Sequence, residues 1–217
     1  MSEPPVILAL DTTSEFGSVA VRRGHETAAE IPLHSPDGFA HVVFGAIEDA
    51  LAQAKTRLDE IDCFASASGP GSFTGVRVSL AAIKGLAEAM GKPATGISNL
   101  RVLSLFGQKP LRAVALDARR GQVYGAVYDE SGRVVVEEAV AVWAAWLETV
   151  PGEAEFVGFE DGPCAAAGIA FTRAPWSLAS ALAEWAERDG PAGWSDPAVL
   201  DANYVRRSDA ELFWKDR

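Results

Sequence analysis

Cysteine is nearly absent. The 217 residues hold two, Cys63 and Cys164, about a hundred positions apart and in no C-x-x-C pair. That excludes a disulfide-framed scaffold and a cysteine-built zinc site. Histidine is as scarce: His25, His34 and His41 form neither H-x-x-x-H nor H-E-x-x-H, so no metal centre is expected. Positive charge is short too. Nineteen Lys and Arg against thirty Asp and Glu leave a formal net charge of -11. Phosphate backbones are held by clustered cations, so direct, tight binding to nucleic acid is not expected, nor is attachment to an anionic membrane. Long apolar runs are missing as well. Stretches such as Val6–Leu10 and Ala139–Trp146 fall far short of the ~20 residues that span a bilayer. Met1-Ser2-Glu3-Pro4-Pro5 has neither the basic nor the apolar region of a signal peptide. A cytoplasmic protein with reduced thiols is the expectation.

What is present is globular. Hydrophobic residues make up 48% and charged residues 23%, and a chain this long buries roughly 70% of its unfolded surface without a covalent staple. Val6–Leu10 predicts a strand buried on both faces. Turn residues Asp11–Gly17 and Arg23–His25 separate it from strands at Ser18–Arg22 and Glu26–Leu33, an antiparallel meander. Helical spacing predicts a helix over Phe39–Lys55 and a second from Gly75 to Met90, ended by Gly91, with a strand over Ile61–Ser68 between them. A short strand at Ala94–Ser98 and a helix at Asn99–Phe106 follow. The pattern then restarts: strands at Leu111–Asp117, Gln122–Tyr128 and Arg133–Val142, then helices at Trp143–Thr149, Gly162–Gly168 and Ser177–Arg188. This echo predicts two related α/β lobes, 1–107 and 108–217, each a mixed sheet with an antiparallel meander and flanking helices. The six tryptophans read as packing in the second lobe.

Three segments could carry chemistry. Leu10-Asp11-Thr12-Thr13-Ser14 ends a buried strand in small hydroxyl residues, which suits either a phosphate-facing turn or a plain Asx turn. Gly69-Pro70-Gly71-Ser72-Phe73-Thr74-Gly75 joins a strand to a helix and suits either an anion at the helix N-terminus or a tight turn. It is not a Walker A loop, a G-x-G-x-x-G loop or a nucleophile elbow. Asp117-Ala118-Arg119-Arg120-Gly121-Gln122-Val123-Tyr124 holds the place of the Asp11 segment in the second lobe, as a cleft-facing loop or a solvated hairpin tip.

These segments resemble the TsaB (YeaZ) family. The resemblance rests on Ile7–Ser14 with Ser18-Val19-Ala20, on Ser68–Arg77, on Gly96-Ile97-Ser98-Asn99-Leu100, on Asp117–Tyr124 and on the closing Ala202-Asn203-Tyr204-Val205-Arg206. It implies a two-lobed actin/Hsp70-like fold. It implies a non-catalytic scaffold in the synthesis of N6-threonylcarbamoyladenosine at position 37 of ANN-decoding tRNAs, with TsaD as the catalytic partner, the ATPase TsaE docking on the pair, tRNA met only through the complex, and a homodimer in isolation. TsaD-like chains carry H-x-x-x-H after the segment at Gly96, where this sequence reads Ile97-Ser98-Asn99-Leu100-Arg101-Val102-Leu103. No catalytic residue and no cofactor are therefore expected. Asp11, Thr12, Thr13, Gly69, Gly71, Ser72, Thr74 and Gly75 are left as a vestigial phosphate loop. The two over-wide helices supply the expected interface: Phe44, Ile47 and Leu51 on the first, Val78, Ala81, Ala82, Gly85 and Ala89 on the second. The competing reading is an enzyme, either a metal-dependent peptidase or an actin/Hsp70-type ATPase.

Overall fold

The computed structural model of the chain describes residues 4–205. Met1, Ser2, Glu3 and Arg206, quoted above, lie outside them. The elements are β1 (Val6–Asp11), β2 (Phe16–Arg23), β3 (Glu26–His34), α1 (Val43–Gln53), β4 (Cys63–Ala67), α2 (Phe73–Met90), β5 (Ala94–Ile97) and α3 (Asn99–Ser104). They continue with β6 (Leu111–Asp117), β7 (Gln122–Asp129), β8 (Val134–Val142), α4 (Trp143–Leu147), β9 (Glu155–Gly158), α5 (Pro163–Ala166), β10 (Thr172–Arg173) and α6 (Ala179–Asp189).

The strands form two five-stranded sheets, ordered β3-β2-β1-β4-β5 and β10-β9-β6-β7-β8. Read from the meander edge, the second sheet is β8-β7-β6-β9-β10, so each strand sits where its counterpart does in the first. Antiparallel and parallel pairings repeat in the same places. The echo in the sequence is thus a duplicated topology, that of the actin/Hsp70-like class.

The first unit holds the residues up to Val102 together with Pro175–Ala202. β1 is buried along its whole length, and successive residues face opposite sides of the sheet. On one side Val6, Leu8 and Leu10, with Val19, Val21 and Phe64, meet Val43, Ala46, Ile47 and Ala50 of α1 and Val76, Leu80, Ala82, Ile83 and Ala87 of α2. Gly91, at a left-handed φ of 60°, ends α2 as expected. α1 starts at Val43, four residues later than the spacing predicts. Phe39–Val42 form a turn, with the Phe39 ring packed against Gly17.

α6 covers the opposite side of this sheet, and here the lobe boundary at 107 is corrected. Ser18 Oγ accepts a hydrogen bond from the Ala179 amide at 2.9 Å. Arg22 is buried, and its Nε lies 2.8 Å from Glu187 Oε2. Arg101 makes a bidentate pair with Asp189 at 2.6 and 2.7 Å, and the Trp185 indole donates to the Arg101 carbonyl. A buried guanidinium needs a carboxylate, and the one that reaches Arg22 comes from α6. Residues 175–202 therefore belong with the first sheet.

The second unit holds Leu103–Ala174 and, of the described residues, 203–205. Where the first unit inserts helices of 11 and 18 residues, this one inserts α4 and α5, of 5 and 4. Aromatic side chains fill the place of the missing turns. Trp146 packs with Ala113, Ala115, Val123 and Val127, 5.3 Å from Trp143 and 6.1 Å from Phe156 between ring centroids. Its indole lies directly on Gly125, where a Cβ would come within 2.3 Å of the ring. Trp176, Trp185 and Trp194 sit in the first unit, against the expectation that all the tryptophans pack in the second. β9 and β10, of four and two residues, are too short for the alternation to register. No described helix is long and apolar enough to cross a membrane.

Candidate functional site

The ends of β1 and β4 and the start of α3 bring the first two motifs together in the first unit. Asp11 is buried and its Oδ1 accepts from the Thr13 amide at 2.8 Å and the Thr13 hydroxyl at 2.6 Å. The Asn99 side-chain amide donates to the same hydroxyl oxygen at 2.5 Å. Asn99 also ties the glycine loop: its Oδ1 accepts from the Gly69 amide at 3.0 Å, and its backbone amide donates to the Gly69 carbonyl at 2.9 Å. The Ser72 amide donates to the Thr13 carbonyl at 2.6 Å, and Thr12 Oγ1 donates to the Gly75 carbonyl at 2.7 Å.

Gly71 and Gly75 are glycines because nothing larger fits. A Cβ on Gly71 would lie 2.5 Å from the Thr13 carbonyl oxygen, and one on Gly75 would lie 1.9 Å from that of Thr12. Ser72 caps α2, its hydroxyl accepting from the Gly75 amide at 3.3 Å. The peptide bond between Gly69 and Pro70 is cis. Thr74 is exposed.

Burial pushes the Asp11 carboxyl above its ordinary value, against smaller opposing effects of the Thr13 hydroxyl, the Thr13 amide and the Asn99 amide. The amides of Thr13, Gly69, Ser72 and Gly75 all donate inside the cluster. A phosphate cradle needs such amides pointed outward. These four are taken by the chain's own oxygens, and the geometry is that of a lock between three elements. Asn99, which no spacing rule singles out, is its centre.

The third motif forms the tip of the β6–β7 hairpin. Asp117 Oδ1 accepts from the Arg119 amide at 2.7 Å, as Asp11 does from Thr13. Arg119, Arg120 and Gly121 all take left-handed φ angles, 64°, 56° and 72°. Asp117, Arg119 and Arg120 are exposed.

The helix residues expected at an interface divide. Phe44 is 55% exposed, and Ala81, Gly85 and Ala89 form an exposed stripe at four-residue spacing along α2. Leu51 and Val78 are half-buried. Ile47 and Ala82 are corrected: at 3% and 6% exposure both lie in the core, because their side chains turn toward β1 and β4. The outer side of α1 is otherwise mostly polar, with Glu48, Asp49 and Gln53. Sequence reasoning missed Phe73 at the first turn of α2, 52% exposed, with the Arg77 guanidinium 3.7 Å above its ring. An aromatic directly after a capping serine, ahead of the core period, was the available signal.

Among the described residues no group of three or more His, Cys, Asp and Glu could hold a metal ion. Cys63 and Cys164 are free and buried.

Comparison with known proteins places these features. A family model described as TsaD, tRNA N6-adenosine threonylcarbamoyltransferase, matches residues 31–180. The tRNA threonylcarbamoyladenosine biosynthesis protein TsaB of Escherichia coli is 36% identical over 142 residues, 63% of this chain and 61% of that protein. Its namesake from Bacillus subtilis is 30% identical over 147 residues, 65% of this chain and 64% of its own. The chain thus spans less than two thirds of these curated relatives. A crystal structure from Pseudomonas aeruginosa, described as an uncharacterized protein with similarity to peptidase YEAZ, superposes with a TM-score of 0.77. It is 27% identical, and the match covers 93% of this chain and 100% of that one.

Proposed function

Because the chain belongs to the TsaB/YeaZ family, we propose that it serves N6-threonylcarbamoyladenosine synthesis on tRNA as a non-catalytic subunit that docks TsaD. The observation that carries the docking role is the face of α1 and α2 bearing Phe44, Phe73, Ala81, Gly85 and Ala89. Aromatic anchors beside a stripe of small residues suit the close approach of a second helix pair. TsaD is the committed occupant, and a second copy of this chain takes its place when TsaD is missing. TsaE joins the assembled pair.

Two features support a scaffold over a transferase. The stretch where TsaD-like chains carry H-x-x-x-H is here the start of α3, and its Asn99 is engaged in the lock. The amides of Thr13, Gly69, Ser72 and Gly75 already have partners inside the chain. A metal-dependent peptidase reading finds no group of three or more His, Cys, Asp and Glu that could hold the metal among the described residues.

The test is reconstitution. TsaD and TsaE, supplied with threonylcarbamoyl-AMP and an ANN-decoding tRNA, should modify adenosine 37 only when this chain is added. Full modification in its absence would overturn the proposal, as would modification by this chain alone.

A further inference from the structure

We infer that the Asp11–Thr13–Asn99 chain of hydrogen bonds is a positioning device for the docking face, setting where α2 begins and how Phe73 and Arg77 are presented. The inference rests on the docking reading of α1 and α2 and names what controls that face.

The loop from Gly69 to Ser72 belongs to no strand or helix, so its position depends on the bonds that tie it down. Those bonds converge on two residues, through side chain and backbone alike. Asn99 grips Gly69 at both ends, its side-chain Oδ1 taking the Gly69 amide and its backbone amide donating to the Gly69 carbonyl. Thr13 takes the Ser72 amide on its carbonyl, while its hydroxyl links Asn99 to Asp11. Thr12 closes the far end on the Gly75 carbonyl. Phe73 directly follows Ser72, and Arg77 lies one turn further on, over the Phe73 ring. A shift of the loop therefore moves the exposed aromatic with it.

Packing alone does not account for this cluster. Thr13 and Asn99 are buried polar residues, and each commits its side chain to hydrogen bonds inside the cluster. A valine at position 13 would fill nearly the same volume as threonine without a hydroxyl. Buried polar groups are costly unless fully paired, and a fully paired set specifies one geometry. Here that geometry is the approach of the loop to α2. Thr13 and Asn99 do not touch the exposed face, so they act on docking only through Ser72 and Phe73.

The experiment measures the dissociation constant of the pair with TsaD for the full chain and its variants. Thr13→Val should weaken pairing by about tenfold, the loss of one or two buried hydrogen bonds, while circular dichroism stays unchanged. Thr13→Ser, which keeps the hydroxyl, should pair within about twofold of the parent. Added to Phe73→Ala, Thr13→Val should have no further effect, because both act at one contact. A fully additive loss shows a merely structural role and overturns the inference, as does normal pairing by folded Thr13→Val. If Thr13→Val does not fold, Asn99→Ala replaces it, and faster amide exchange confined to Gly69–Ser72 with weakened pairing is the supporting result. Normal pairing by Asn99→Ala overturns the inference. Undiminished pairing by Phe44→Ala and Phe73→Ala instead removes the docking reading itself, and the inference with it.

Discussion

Burial in the first unit disfavours the charge of Asp11. Buried among hydrogen bonds, its carboxyl keeps its proton to a higher pH than it does in the unfolded chain, whose reference value is 3.8. The native state therefore binds the proton more tightly. For this group stability is greatest below the unfolded value and declines as pH rises through the raised folded one. Glu155 has the opposite sign. Burial pulls it up, but hydrogen bonds from Thr172 and from the Lys109 and Gln108 amides outweigh that and hold it below 4.5. Its contribution is present above the unfolded value and fades as pH falls through the folded one. Asp11→Asn keeps an acceptor for Thr13 and cannot ionise. Its stability relative to the parent should rise as pH climbs above the unfolded value of 3.8, read from urea midpoints. A difference that stays constant over that range would show that burial does not govern Asp11.

At the scale of elements, two neighbouring positions on α2 separate core from surface. Ala82 faces the sheet, and Ala82→Glu should destabilise the fold by about 3 kcal/mol or more, by burying an unpaired charge. Gly85 faces outward, and a Cβ there meets nothing within 4 Å. Gly85→Glu should leave monomer stability unchanged or raise it by up to ~1 kcal/mol through helix propensity, and should abolish pairing. Thermal melts and sedimentation of both variants give the answer, and a Gly85→Glu chain that still pairs moves the interface elsewhere. Period and capping made α2 legible in the sequence from Gly75 to Gly91, and the meanders were equally plain. Periodicity could not tell which side of an all-round apolar helix turns to the sheet, so Ile47 and Ala82 were misplaced. It also missed β9 and β10, since four and two residues do not establish an alternation. The return of α6 to the first sheet depends on pairs such as Arg22 with Glu187, 165 positions apart, and local pattern has no access to these. Asp11, Thr13 and the loop glycines were legible as a cluster. Their purpose was not, because the direction of each amide decides between an anion cradle and a lock.

At the scale of the whole molecule, net charge puts the proposed role to a test. With a formal net charge of -11, the isolated chain should bind tRNA weakly even at low salt, since few cations are available to displace phosphate counterions. TsaD with this chain bound should bind tRNA with the salt slope of TsaD alone. Fluorescence anisotropy over a salt series measures both. Tight, salt-sensitive binding by the isolated chain would contradict a subunit that leaves the RNA to its partners.

The placement of the indoles makes the chain report on itself. Trp143 and Trp146 lie close and inclined in the second unit. Trp185 has the guanidinium groups of Arg101 and Arg188 within 4.4 and 5.0 Å of its ring centroid in the first. The paired chromophores couple their optical transitions and give a near-ultraviolet dichroic band. The indole near these cations, enclosed and hydrogen-bonded, emits with a different colour and quenching. Once Trp176 and Trp194, which share the first unit, are replaced by phenylalanine, each half of the duplicated fold carries its own spectroscopic label without any dye, and the order in which the halves melt can be read from light alone.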